Sequence, residues 1–67
     1  ADVNVVAVDG GVEVEAQGAV ATVYSVTGTV VDSRAVNGIT RLNAQRGLNI
    51  VKVQTLAGTS TSKVIVK

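Results

Sequence analysis

The chain of 67 residues contains no cysteine, histidine, tryptophan, phenylalanine, methionine or proline, and Tyr24 is its one aromatic residue. Each absence removes a class of explanation. Without Cys no disulfide can staple the fold, and without Cys or His no ordinary zinc centre can form. The same gaps exclude nucleophilic hydrolysis by a Ser-His-Asp or Cys-His arrangement, and no cofactor is expected. No apolar run approaches the ~20 residues that span a bilayer as a helix. The first residues lack the organisation of a signal peptide, so an exported protein would carry that signal upstream. The lack of Cys shows only that the fold does not need an oxidising compartment. Lys and Arg are few and scattered, and the formal charge is +1. Nucleic-acid binders concentrate basic residues and offer aromatic platforms, so no nucleic-acid partner is expected.

What remains is valine, threonine and glycine. Residues 1–67 make one domain, and a domain near this length buries only about 60% of the surface its unfolded chain exposes. Its core must come from Val, Ile, Leu and Ala. Valine is stiff at χ1 and suits a pleated sheet better than a helix. Turn signals recur every eight to twelve residues or so, as in a sandwich or barrel. The spacing predicts an all-β protein of about seven short antiparallel strands, at 3–9, 12–17, 19–26, 29–36, 39–43, 48–55 and 63–67. Two packed sheets would bury them.

Several details refine this. In the first strand Val3 and Val5 fall on one phase and Val6 and Val8 on the other, which predicts a bulge or a crossing between sheets. Val12, Val14 and Ala16 alternate with Glu13, Glu15 and Gln17, the pattern of a half-buried strand. Strands 19–26 and 48–55 are apolar on both phases; the first reads as covered on both faces or near the sheet centre, the second as central. Turns are expected at Asp9-Gly10-Gly11, Gln17-Gly18, Thr27-Gly28, Asn37-Gly38, 44–47 and Leu56-Ala57-Gly58. Gly28 takes a left-handed position, and Asn37-Gly38 is the strongest hairpin signal. The polar stretch 59–62 reads as loop, and Val64 and Val66 face one way on the last strand.

Residues with chemistry are sparse. Glu13 and Glu15 point the same way from one strand; a solvated sheet face explains them better than acid–base work, because nothing suggests a pocket. Asp2, Asp9 and Asp32 lack the spacing of a Ca²⁺ loop. Gly10-Gly11 lacks the helix that a phosphate cradle needs. Tyr24 reads as a core residue whose hydroxyl reaches the rim, with ligand stacking as the alternative. Arg34, Arg41 and Arg46 read as surface charges with their stems along the sheet. Lys52, Lys63 and Lys67 lie in the last two strands. They either guard a sheet edge against aggregation or are read by a partner.

Three segments in order, VYSVTGTVV (23–31), GLNIVKV (47–53) and KVIVK (63–67), resemble the C-terminal sorting domain of the type IX secretion system. The resemblance covers nearly the whole chain and includes the final strand at the chain end. The family's usual tyrosine after Gly47-Leu48 is replaced by Asn49. The resemblance implies an immunoglobulin-like β-sandwich that follows a secreted cargo domain in certain Gram-negative bacteria. It implies partners: the type IX translocon, outer-membrane shuttle proteins and a sortase-like C-terminal signal peptidase. The cargo would pass through the periplasm to the outer membrane, cell surface or medium, and the domain would be cut away as the cargo is anchored or released. The expected recognition residues are Gly47, Val51, Lys52, Val53, Lys63, Val64, Ile65, Val66 and Lys67, with a terminal strand open to strand addition. Tyr24, Gly28, Asn37, Gly38 and Gly58 would hold turns and core.

Two other classes compete. One is an immunoglobulin-like structural or adhesin module of a bacterial surface protein. The other is a ligand-binding sandwich, for which a single Tyr offers little. An enzyme is the least expected. With no staples and little aromatic area, a homodimer or swapped strand is a further expectation.

Overall fold

The computed structural model describes residues 2–67, and among them there are five strands and no helix. They are β1 (Asn4–Val8), β2 (Gly11–Ser25), β3 (Val30–Asn43), β4 (Gly47–Thr55) and β5 (Gly58–Val66). All pair antiparallel in one sheet ordered β1-β2-β4-β5, with β3 also on β2. The all-β expectation stands. The expected seven-stranded sandwich is instead a five-stranded sheet curled into a half-barrel.

The difference arises at two places where a turn was expected and the chain runs on. Gln17-Gly18 lies inside β2, and Asn37-Gly38 lies inside β3. The register passes from Ala16↔Gly38 to Ala19↔Val36, so β2 carries one extra residue there. This is a β-bulge, which bends the ribbon and raises its twist. Gly18 (φ +58°) and Gly38 (φ +104°) supply backbone conformations that other residues rarely adopt. The Asn37 Oδ1 accepts a hydrogen bond from the Gly18 N–H at 2.7 Å, tying the two strands together at the corner.

The bend is severe. Asp32 and Asn43 lie at opposite ends of β3, and eleven residues of straight strand would separate them by about 36 Å. Yet the Asn43 N–H donates to the Asp32 carboxylate at 2.9 Å. The β2–β3 ribbon therefore has two arms. The first arm is β1 with residues 11–16 of β2 and 38–43 of β3. The second is residues 19–25 of β2 and 30–36 of β3, with β4 and β5.

The core lies inside the curl. Val12, Val14, Ala16 and Leu42 come from the first arm; Ala19, Ala21, Val23, Val36, Val51, Val53 and Val66 come from the second. The bulge reverses the inward phase of β2, from even positions before it to odd positions after it. Segment 19–26 is thus not covered on both faces, since Ala21 and Val23 point in while Val20 and Val26 are exposed; it is central, paired with β3 on one side and β4 on the other. Tyr24 is half-buried on the outer phase, and so is not the core residue expected. β4 is flanked by β2 and β5, as its apolar character predicts.

Three smaller expectations change. β1 pairs with β2 in constant register from Asn4↔Glu15 to Val8↔Gly11, without a bulge; its phase slip exists because Val6 is left on the outside. Residues 59–62 are strand, paired from Gln54↔Thr59 to Val51↔Ser62, because a two-residue turn at Leu56-Ala57 places them directly against β4. In the first turn both Gly10 and Gly11 can accept positive φ, but only Gly10 adopts it. Gly11 is needed for closeness instead, since a Cβ there would sit 2.6 Å from the Leu42 carbonyl oxygen.

The turns at Thr27-Gly28, 44–46 and Leu56-Ala57 form where expected. β1 lies beside β5 across an unpaired seam: Val3 borders the β4–β5 turn, and Ala7 and Val8 border Ile65 and Lys67.

Candidate functional site

With the core face settled by burial, the other face of each strand can be read through the register. On the second arm, Tyr24 lies between Val30 on β3 and Ile50 on β4, and Ile50 is opposite Lys63 on β5. The next row toward the chain end of β5 pairs Leu48 with Ile65. On the other side, Thr22 lies between Ser33 and Lys52, with Thr61 beyond Lys52. Val30 and Ile65 are 56% and 60% exposed, far beyond any role in the core. No Asp or Glu occurs in residues 19–25, in β4 or in β5. The result is an apolar surface around the sole aromatic ring, flanked by lysines and without an acidic side chain.

The expected recognition residues divide by phase. Val51, Val53 and Val66 are buried in the core, and Val64 packs against its margin. The side chains of Val51, Val53 and Val66 are closed to any partner of the folded domain, and Val64 is half-buried. Lys63, Ile65 and Lys67 are exposed and Lys52 is half-buried. Gly47 opens β4 with φ +96° and marks the end of a turn. Gly28 (φ +88°) and Gly58 (φ +140°) hold the turns flanking β2–β3 and β4–β5. Asn37 and Gly38 act at the bend. Val30, Leu48 and Ile50, which sequence reasoning left out, complete the outer surface. The signal for them was parity relative to the buried valines, readable only once the bulge in β2 is known.

Asn49 stands in the core where the resemblance expects tyrosine. Its side chain is fully buried. Its Nδ2 donates to the carbonyls of Gln45 at 2.7 Å and Gly47 at 3.1 Å, and its Oδ1 accepts from the Gln45 N–H at 3.0 Å. The amide thus saturates the backbone of the β3–β4 turn, which would otherwise carry unpaired polar groups against the core. Ser25 does similar work at the β2–β3 turn, where its hydroxyl meets the Thr27 hydroxyl at 2.9 Å and the Thr29 N–H at 3.3 Å.

The acidic candidates stay apart. Asp2 precedes β1, Asp9 occupies the β1–β2 turn and Asp32 lies in β3. Among the described residues no group of three acidic side chains gathers where it could hold a metal ion. Asp32 is a tie between the arms. Besides Asn43 it accepts from the Ser33 N–H at 2.9 Å and from the Arg34 Nε at 3.0 Å. The Asn43 backbone bond, the Arg34 hydrogen bond and charge, and the Ser33 bond hold its carboxyl below the usual carboxylate range.

Glu13 and Glu15 share the outer face of the first arm. Glu13 lies between Val6 and Arg41, and Glu15 between Asn4 and Ile39. Arg41 turns its guanidinium to the Asp9 carbonyl at 2.8 Å, leaving Glu13 without an ion pair among the described residues. Glu15 accepts one long hydrogen bond from Asn4 at 3.4 Å.

No family model, curated protein or solved structure matches this chain.

Proposed function

We propose that this domain is a sorting domain of the type IX secretion system, which addresses an attached cargo to the outer-membrane translocon. The observation that carries the proposal is the outer face of the β4–β5 hairpin. Its motif segments GLNIVKV and KVIVK set Lys52, Lys63 and Ile65 outward, while the alternate valines anchor the hairpin in the core. A rigid hairpin with lysines and an exposed isoleucine on one face is a surface that a translocon or shuttle protein can read. The outer edge of β5 lies beside β1 without a hydrogen-bonded ladder, so strand addition there would require β1 to give way.

In this reading the cargo passes through the periplasm. A sortase-like peptidase then removes the domain as the cargo is anchored at the cell surface or released. The domain itself does no chemistry. We read the two facing arms as a shortened immunoglobulin-like sandwich, whose layers are halves of one bent ribbon. That same closed core suits the alternative, a structural or adhesin module retained on a surface protein.

The test is export of a cargo fused to the domain. Deleting Ile65-Val66-Lys67 should strand the cargo in the periplasm. Because Val66 belongs to the core, a second variant is needed: K63E/I65E alters only the outer face and should also block export. Normal export of the folded K63E/I65E variant would sink the proposal. Mass spectrometry of the mature cargo separates the alternative, which requires the domain to remain attached.

A further inference from the structure

The two arms present outer faces that complement one another. On the first arm, Glu13 and Glu15 stand two residues apart on β2, about 6.6 Å along the strand. Each has an exposed apolar neighbour across the sheet, Val6 beside Glu13 and Ile39 beside Glu15. On the second arm, Lys52 lies opposite Thr61, and Lys63 is two residues farther along β5. Diagonal neighbours of this kind are about 7–8 Å apart. Lys63 adjoins Ile50, which adjoins Tyr24. The two acidic and the two basic positions thus have similar backbone spacing, and each pair is bordered by apolar side chains, exposed at Val6 and Ile39 and half-buried at Ile50 and Tyr24. Among the described residues the only ion pair is Arg34–Asp32, so none of these four charges is ion-paired there; Glu15 accepts one long hydrogen bond from Asn4, and Arg41, opposite Glu13, is turned to the Asp9 carbonyl.

We propose that the domain associates head to tail with further copies of itself, the Lys52/Lys63 face of one copy seating on the Glu13/Glu15 face of the next. The occupant is a second copy because one chain carries both halves of the match. The faces belong to different arms, so the contact is heterologous and leaves both ends of a pair able to add another copy. It rests on two pairs of surface charges, which makes the association weak and salt-dependent. The inference does not depend on the secretion reading; it rests on the register and the surface charges alone.

Sedimentation velocity of the full chain over a concentration series tests it, with zero-length carbodiimide cross-linking as a second readout. At about 20 mM salt the weight-average mass should rise with concentration, and at about 0.5 M salt it should return to the monomer, since the Debye length drops to a few ångströms. Cross-linked peptides should join Lys52 or Lys63 of one copy to Glu13 or Glu15 of another. The double reversals K52E/K63E and E13K/E15K should each weaken association at least tenfold. An equimolar mixture of the two should restore it, because each reversed face then meets its complement. Matching far-UV spectra establish that the variants fold, and the wild-type cross-links need no variant. A monomer at every concentration overturns the proposal. So does association that resists salt, that survives either reversal, or that the mixture fails to restore. Loss with K52E/K63E alone would instead indicate a symmetric contact or another partner, and would also refute it.

Discussion

The two arms of the bent ribbon have similar interiors and opposite exteriors. Inside, both supply small branched or short apolar side chains, and Leu42 is the largest of them. Outside, the first arm shows Glu13 and Glu15, while the second shows Lys52 and Lys63 around Tyr24 and carries no acidic residue on β4 or β5. The interior is uniform because a core without aromatic residues must pack from valine and alanine at high density. The exterior is under no such restriction. It departs from a plain polar surface at Val30 and Ile65, which are exposed, and at Tyr24 and Ile50, which are half-buried.

That contrast can be broken from the inside. Leu42→Ala removes the largest core side chain where the first arm faces the second, and should cost about 2–5 kcal/mol. Since small domains retain only about 5–15 kcal/mol, urea titration should show a large fall in the unfolding midpoint. The corner that joins the arms is the next target. Gly38→Val forces a β-branched residue to φ +104°. Its cost should be about 1–3 kcal/mol, with amide exchange rising at Gly18 and Asn37 before the rest of the sheet.

The tie across the arms has a pH signature. The Asp32 carboxyl is held below its ordinary value of 3.8 in the folded chain. Its contribution is therefore fully present above that ordinary value and is lost as pH falls through the lower folded value. Asp32→Asn should lower the melting temperature at neutral pH, and the gap between the two proteins should close below about pH 4. A gap that widened on acidification would contradict the bond to Asn43. The smallest effect sharpens the comparison from outside. Lys63→Gln and Glu15→Gln should each change stability by less than about 0.5 kcal/mol, because neither side chain supports the fold.

Part of this organisation is legible in the residues. The alternation of Val12, Val14 and Ala16 with Glu13, Glu15 and Gln17 identifies both faces of the first half of β2. Thr27-Gly28 and Leu56-Ala57 are turns, with Gly58 opening β5 at positive φ. Gln17-Gly18 and Asn37-Gly38 are locally indistinguishable from turns. A glycine with positive φ beside an amide side chain serves a hairpin and a bulge equally well. What decides between them is the partner strand: Gly18 and Asn37 sit across from each other, and their hydrogen bond spans nineteen residues. Once that corner is missed, 19–26 has no inward phase to single out and Tyr24 moves from the surface to the core. Asn49 misleads for a related reason. A polar residue amid β4 reads as a loss of core area, whereas its amide saturates the turn before it.

Composition alone determined that this chain is a sheet protein with a valine core and no Cys or His for a disulfide, an ordinary zinc centre or a Ser-His-Asp triad, because those properties depend on which side chains exist. Tertiary structure alone decided that seven expected segments are five strands, that Asp32 joins two arms, and which charges share a face. Those outcomes depend on pairings between residues distant in sequence, and one extra residue in a ladder reverses every side chain beyond it.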